Sequence, residues 1–235
     1  MTTARTSDSE AAFVEFLAQF VTEQRRALFD RVLEQRTRHV TVVLEDIYHS
    51  HNTSACLRTC DCFGVQDVHI IEGENRHEIN TDVALGSTQW LTLQHYDAAE
   101  DNTLACIHRL KNAGYRIVAT SPHAESHMLD DFLPTQPVAL MFGSEQNGLS
   151  ETAMEAADDL LRIPMFGFTE SFNISVTVAL CLQQLTKTLR DSDINWQLTP
   201  DERETLRRQW IKQTIGYRLP QFEARFQREQ GERPV

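Results

Sequence analysis

Between residues 39 and 190, short runs rich in Val, Ile and Leu alternate with longer stretches whose apolar residues recur at helical spacing. Residues 40–44, 68–71, 91–96, 115–120, 137–142 and 160–163 read as strands, with the apolar character of strands buried on both faces. Between them, residues 53–63 suit a helix capped by Asn52 and stopped by Gly64, and 101–112 an amphipathic helix stopped by Gly114. Residues 150–157 suit a short helix capped by Ser150, and 173–189 a long apolar one. Strands that alternate with helices pair in parallel, because the crossover helices must lie on the faces of the sheet. The expected fold class is therefore α/β, a parallel sheet with helices on both faces. Outside this body, 9–36 and 195–230 read as helical, with Phe13, Phe16, Leu17 and Phe20 at helical spacing in the first and Pro200 near a helix start in the second. The expected organisation is an N-terminal helical arm (1–38), the body (39–190) and a C-terminal helical extension (191–235), with no internal repeat.

The 235 residues suffice for one such body with additional elements. No stretch approaches the ~20 apolar residues of a membrane-spanning helix, and residues 1–10 lack the apolar core of a signal peptide, so a cytoplasmic location is expected. Cys56, Cys60, Cys62, Cys106 and Cys181 form no CxxC pair and lie in apolar segments, so they read as small buried residues rather than a disulfide framework or metal site. The net charge of −12 argues at first against a nucleic-acid partner, but its distribution does not. Residues 39–194 hold eight Lys or Arg against twenty-two Asp or Glu, whereas 1–38 balance six against six and 195–235 hold eight against six. An acidic body with RNA-touching arms fits this pattern, and so do two solvated helical tails.

Three segments are unusually polar for their place in the pattern. In residues 51–59, Asn52 and Arg58 stand six apart, under two helical turns, so both can serve one site near a helix start. Arg58 lies among Ala55, Cys56, Leu57, Cys60 and Phe63, so its guanidinium needs a partner. That partner is either an acid of the body or a bound phosphate or carboxylate. In residues 140–150, Gly143 and Gly148 bracket a loop containing Glu145 directly after a strand, where α/β folds place ligands. No Lys-Ser/Thr ending and no GxGxxG is present, which excludes the two common nucleotide fingerprints and with them a Rossmann-type oxidoreductase. In residues 161–175, a strand runs through Ile163 into a loop, after which Ser171 and Asn173 open an apolar helix. Asn173 serves there as a helix cap, or the free N–H groups of that helix start meet a ligand.

Together, in order and spacing, the three segments resemble the motifs of the SpoU class of SPOUT RNA methyltransferases: Asn-x5-Arg followed by Thr, Phe-Gly-x-Glu-x-x-Gly-Leu, and Ile-Pro-Met-x-Gly-x-x-x-Ser-x-Asn-x-Ser. The helical arms on either side resemble the TrmH type. The resemblance implies an α/β knot, with the C-terminal part of the sheet threaded as a deep trefoil, and a homodimer with its active site at the subunit interface. It implies S-adenosylmethionine as methyl donor, bound by Thr120, Gly143, Ile163 and Phe172, and no metal. Arg58 matches the catalytic position, acting as base with a substrate phosphate or only gripping that phosphate. Asn52, Glu145, Ser171 and Asn173 are implied to shape the site. The implied reaction is methylation of a ribose 2'-hydroxyl in the tRNA D-loop, that of guanosine-18, with Arg25, Arg26, Arg31, Arg36, Arg38, Arg203, Arg207, Arg208 and Lys212 of the arms gripping the RNA backbone. Methylation of ribosomal RNA by the same chemistry, or a non-catalytic RNA-binding relic, are the competing readings.

Overall fold

The computed structural model describes residues 2–73, 86–122 and 127–231. The chain divides into two compact units, Arg36–Gln197 and a second built from Met1–Gln35 with Leu198–Val235. The two terminal segments, far apart in the sequence, thus belong to one unit. Among the described residues, no helix is long and apolar enough to cross a membrane.

The larger unit is a seven-stranded, all-parallel sheet. Its strands are β1 (Val40–Glu45), β2 (Asp67–Ile71), β3 (Thr92–Tyr96), β4 (Arg116–Thr120), β5 (His127–Met128), β6 (Val138–Phe142) and β7 (Asp159–Arg162). They lie in the order β3-β2-β1-β6-β4-β7-β5, with Val40 to Leu44 in register with Val138 to Phe142. Every residue of β1 and β6 is buried, as strands covered on both faces require. Alternate residues feed two separate cores. Val40, Val42 and Leu44 join Leu57 of α3 (Ser50–Phe63) and Leu182, Leu185 and Leu189 of the long helix Ile174–Arg190. Val43 joins Ile107 and Leu110 of α4 (Asn102–Asn112) and Ala153 of α5 (Glu151–Ala156). The long helix is α6. The two-residue strand β5 is too short to leave a periodic signal in the sequence.

Gly64 ends α3 in the left-handed conformation, φ 81°, as expected of a residue without Cβ. Ser150 caps α5 by accepting from the Ala153 amide at 3.1 Å. Asn52 is not the cap of α3. The helix begins at Ser50, with His49 at the cap position making no side-chain cap bond, and the Asn52 amide is engaged elsewhere.

The helical unit contains α1 (Thr2–Ala18), α2 (Glu23–Leu33), α7 (Pro200–Ile215) and α8 (Leu219–Gly231). Thr199 and Glu202 form a reciprocal capping box with Pro200 in the first turn of α7. Phe20 meets Phe222 at a centroid distance of 4.5 Å, and Phe13 and Phe16 meet Phe226 at 5.2 and 5.4 Å. Buried Trp210 meets Phe29 edge-on at 5.6 Å.

Candidate active site

β6, β4 and β7 are neighbours in the sheet, so the loops leaving their carboxyl ends share one edge. Those strand ends and loops enclose a cleft of about 380 Å³, lined by Thr120 at the end of β4, Gly143 and Glu145 after β6, and Ile163, Ser171 and Phe172 after β7. The three loops are separate signals in the sequence, and parallel pairing brings them together. The lining combines apolar side chains such as Leu161, Ile163 and Phe172 with polar ones such as Glu145, Asn147 and Ser171, the mixture usual in small-molecule sites.

The loop after β6 is closed on itself. Ser144 and Gly148 exchange backbone hydrogen bonds at 3.0 and 2.9 Å. A Cβ at Gly143 would run into the Gly148 carbonyl and the Leu149 nitrogen, and Gly148 adopts φ 69°. Both glycines are therefore required by geometry. The Thr120 hydroxyl donates to the Met141 carbonyl at 2.8 Å, tying the β4 loop to β6.

Asn52 connects the three motifs. It is buried at 8% exposure; its Nδ2 donates to Glu145 Oε1, and its Oδ1 accepts from Asn173 Nδ2 at 3.2 Å. Asn173 Oδ1 in turn accepts from the Ser175 amide at 2.9 Å and the Ser175 hydroxyl at 2.6 Å. Asn173 is therefore both the cap of α6 and a hydrogen-bond partner of Asn52. Cys56, one turn beyond Asn52, has its thiol pushed up to about 12, by burial first and the Glu145 charge second. Cys181 on the cleft wall is raised to about 12 by burial. Both are neutral, packed thiols, and all five cysteines are free. Among the described residues, no three His, Cys, Asp or Glu converge as metal ligands.

Arg58 is not part of this lining. It is exposed and, among the described residues, held by no hydrogen bond or ion pair. The burial inferred from its apolar neighbours is corrected by helix geometry. Six residues rotate Arg58 about 120° around the axis from buried Asn52, onto the solvent side of α3.

The cations expected to touch RNA divide into groups. Arg25, Arg26 and Arg31 lie exposed on α2. Arg207 pairs with Asp30 at 2.6 Å, Arg208 with Glu204 at 2.8 Å and Lys212 with Glu10 at 2.7 Å. Arg203 donates to the Leu198 carbonyl at 2.9 Å. Arg36 and Arg38 belong to the sheet unit. Arg36 is 1% exposed, paired with Asp61 and bonded to the Val65 carbonyl at 3.1 Å, so it is a structural residue and not an RNA contact. Arg38 pairs with Asp67 at 2.9 Å.

The profile of the SpoU rRNA Methylase family matches residues 39–183. The chain belongs to the SpoU methylase family. Among its relatives, the tRNA (guanosine(18)-2'-O)-methyltransferase of Borreliella burgdorferi (strain ATCC 35210 / DSM 4680 / CIP 102532 / B31) is 43% identical over 199 residues, which is 85% of this chain and 89% of the relative. Among solved structures, the A. aeolicus TrmH/SpoU tRNA modifying enzyme superposes with a TM-score of 0.74 at 28% identity, over 82% of this SpoU-family chain and 98% of that one. The SpoU methyltransferase AviRb of Streptomyces viridochromogenes, solved in complex with AdoMet, shares the fold with a TM-score of 0.56 at 21% identity, over 69% of this chain and 62% of that one.

Glu45, the last residue of β1, belongs to the surroundings of the site although no motif marks it. Its carboxylate accepts from the Thr103 hydroxyl at 2.6 Å, the Ser150 hydroxyl at 2.7 Å and the Ser150 amide at 2.8 Å. Its one trace in the sequence is an acid ending a largely apolar strand.

Proposed function

We propose that this protein transfers the methyl group of S-adenosylmethionine to the ribose 2'-oxygen of guanosine 18 in the tRNA D-loop. The observation that carries the chemistry is the cleft at the ends of β4, β6 and β7, with the Glu145–Asn52–Asn173 chain behind it. The relative that is 43% identical, a tRNA (guanosine(18)-2'-O)-methyltransferase, supports the choice of substrate.

The residues present fit the cofactor. Ile163 and Phe172 offer apolar contact for an adenine, and the turn from Gly143 to Gly148 brings backbone groups to the cleft wall. Bound there, the cofactor supplies a methyl group activated by a sulfonium, chemistry that needs no metal. Asn52 fixes Glu145, whose carboxylate lines the cleft and would favour a positively charged donor there. Arg58 grips a substrate phosphate, which takes the proton of the 2'-hydroxyl as the methyl group is transferred, and it stabilises the oxyanion that develops. A guanidinium is a poor base by itself.

The protein acts as a homodimer. Arg58 lies off the cleft of its own chain, so a second copy is needed to bring such a cation to the methyl donor. Phe166 and Phe168, 96% and 109% exposed on the loop after β7, form apolar surface that a partner would cover. The trefoil knot is part of the same reading, supported by β6 lying between β1 and β4. The helical unit grips the RNA backbone and the sheet unit carries out the transfer, in the cytoplasm. Calorimetric titration with S-adenosylmethionine, followed by transfer of labelled methyl to unmodified tRNA, tests the proposal. A protein that binds no S-adenosylmethionine would instead be a relic that retains only the fold.

A further inference from the structure

We infer that Glu45 is a positioning residue for the cofactor cleft, holding the far end of the loop after β6 from the face of the sheet opposite Asn52. This rests on the reading of that cleft as the S-adenosylmethionine site.

Glu45 is 5% exposed at the carboxyl end of β1. Burying a carboxylate is costly unless donors surround it, and Glu45 has three, all neutral. Thr103 reaches it from the first turn of α4, and Ser150, the cap of α5, supplies both its hydroxyl and its main-chain N–H. The helix start of α4 adds partial positive charge, which favours an anion there. A strand end that only needed to pack would do better with an apolar side chain, as in most of β1.

The anchored residue explains the purpose. Ser150 closes the segment that begins at Gly143, and 143–149 form one wall of the cleft. That wall is fixed at its near end by β6, in its middle by the Ser144–Gly148 pair and the Glu145–Asn52 bond, and at its far end by Glu45. Asn52 acts from α3, within the first core, while the Glu45 partners lie on α4 and α5, which pack on the second. Two polar clamps on opposite faces therefore hold one cofactor-lining loop. Glu45 does not line the cleft, so it acts through the loop.

Glu45→Gln keeps the shape but replaces an acceptor oxygen by an NH2 group. At the Oε2 position that group faces the Ser150 amide, donor against donor, and at the Oε1 position it turns the Thr103 and Ser150 hydroxyls from donors into acceptors, so neither orientation keeps all three bonds. Glu45→Gln is expected to weaken S-adenosylmethionine and S-adenosylhomocysteine binding about tenfold in calorimetric titration, the scale of one hydrogen bond to a charged group. The KM for the cofactor rises accordingly, while kcat at saturation and tRNA affinity stay within about twofold. In the cofactor-free protein, amide exchange at Ser144 and Gly148 speeds up. Ser150→Ala removes one of the three donors together with the cap of α5 and shows part of the same effect, and the double variant is weaker than Glu45→Gln by less than the Ser150→Ala loss, because the two share a contact. Wild-type cofactor affinity and unchanged exchange in Glu45→Gln would overturn the inference. So would a loss of kcat at unchanged KM, which marks a general folding defect. Should the wild type bind no S-adenosylmethionine, the cleft reading fails, while the exchange measurement still decides whether Glu45 restrains the loop.

Discussion

Asn52 donates a hydrogen bond to Glu145, 93 residues further along the chain, from a buried position in the first turn of α3. A second bond, from Asn173, occupies its carbonyl oxygen. Both ends of one amide are thus committed, and the side chain has a single orientation that satisfies both. Asn52→Ala removes both bonds, and Asn52→Asp places a second carboxylate against Glu145. Each is expected to lower single-turnover transfer by about 100-fold, with Asn52→Ala and Glu145→Ala far from additive, because networked groups act as a unit. Additive losses would show that the bond is incidental.

Gly143→Ala drives a methyl group into the backbone of Gly148 and Leu149, which cannot rotate away. Overpacking of this kind costs about 1–3 kcal/mol. The loop is the element that must yield, so the expected loss is roughly 5- to 150-fold in S-adenosylmethionine affinity by calorimetry. The thermal midpoint of the cofactor-free protein should change little.

The basic residues separate by pairing. Arg26→Ala and Arg31→Ala, on the exposed face of α2, should weaken tRNA binding. Each should also reduce the slope of log affinity against log salt by about one for every phosphate it had neutralised. Asp30→Asn, which leaves Arg207 with only its looser pair to Glu204 at 3.7 Å, should strengthen binding at low salt. Arg36→Ala should leave the salt slope alone and lower stability by about 3–5 kcal/mol, as expected when a buried pair loses one member. A changed salt slope in Arg36→Ala would contradict its assignment as structural.

His69 gives the fold an acid limit. Burial, with the charge of Arg109 as a lesser cause, lowers it from the usual 6.5 to about 4. The unfolded chain therefore takes up a proton between these values while the native chain does not. The stability this group confers is present above about pH 6.5 and lost as pH falls towards 4, by about 3 kcal/mol. Urea midpoints followed across that range should fall, and His69→Gln should flatten the fall. Cys56 and Cys181, raised to about 12 chiefly by burial, weaken the native state in alkali, because above the ordinary thiol range the unfolded thiol releases its proton and the buried one does not.

The parallel sheet, its two helical faces and the three loops of the cleft were legible because each rests on local pattern: β-branched runs, glycine stops and caps. Asn173 was legible as a cap, because a cap depends on the residues next to it. Asn52 reads as a cap because Asn is a favoured cap residue, whereas the helix starts two residues earlier, and only the bonds to Glu145 and Asn173 explain where its amide points. Burial of Arg58 was inferred from neighbours in sequence, whereas rotation about the helix axis decides it. Glu45 could not be read at all, because its partners Thr103 and Ser150 lie 58 and 105 residues away. The pairing of Arg207 with Asp30 was hidden for the same reason, since it depends on how α2 and α7 pack.

The central claim is tested most directly by incubating the protein with labelled S-adenosylmethionine, unmodified tRNA transcripts and ribosomal RNA, and mapping the methylated nucleotide. The account predicts a single 2'-O-methyl mark on guanosine 18 of tRNA, abolished by Arg58→Ala and restored when Arg58→Ala and Gly143→Ala subunits are mixed, since a mixed dimer keeps one intact cleft with a partner's Arg58 available to it. A mark on ribosomal RNA alone, or none on either RNA, would contradict it.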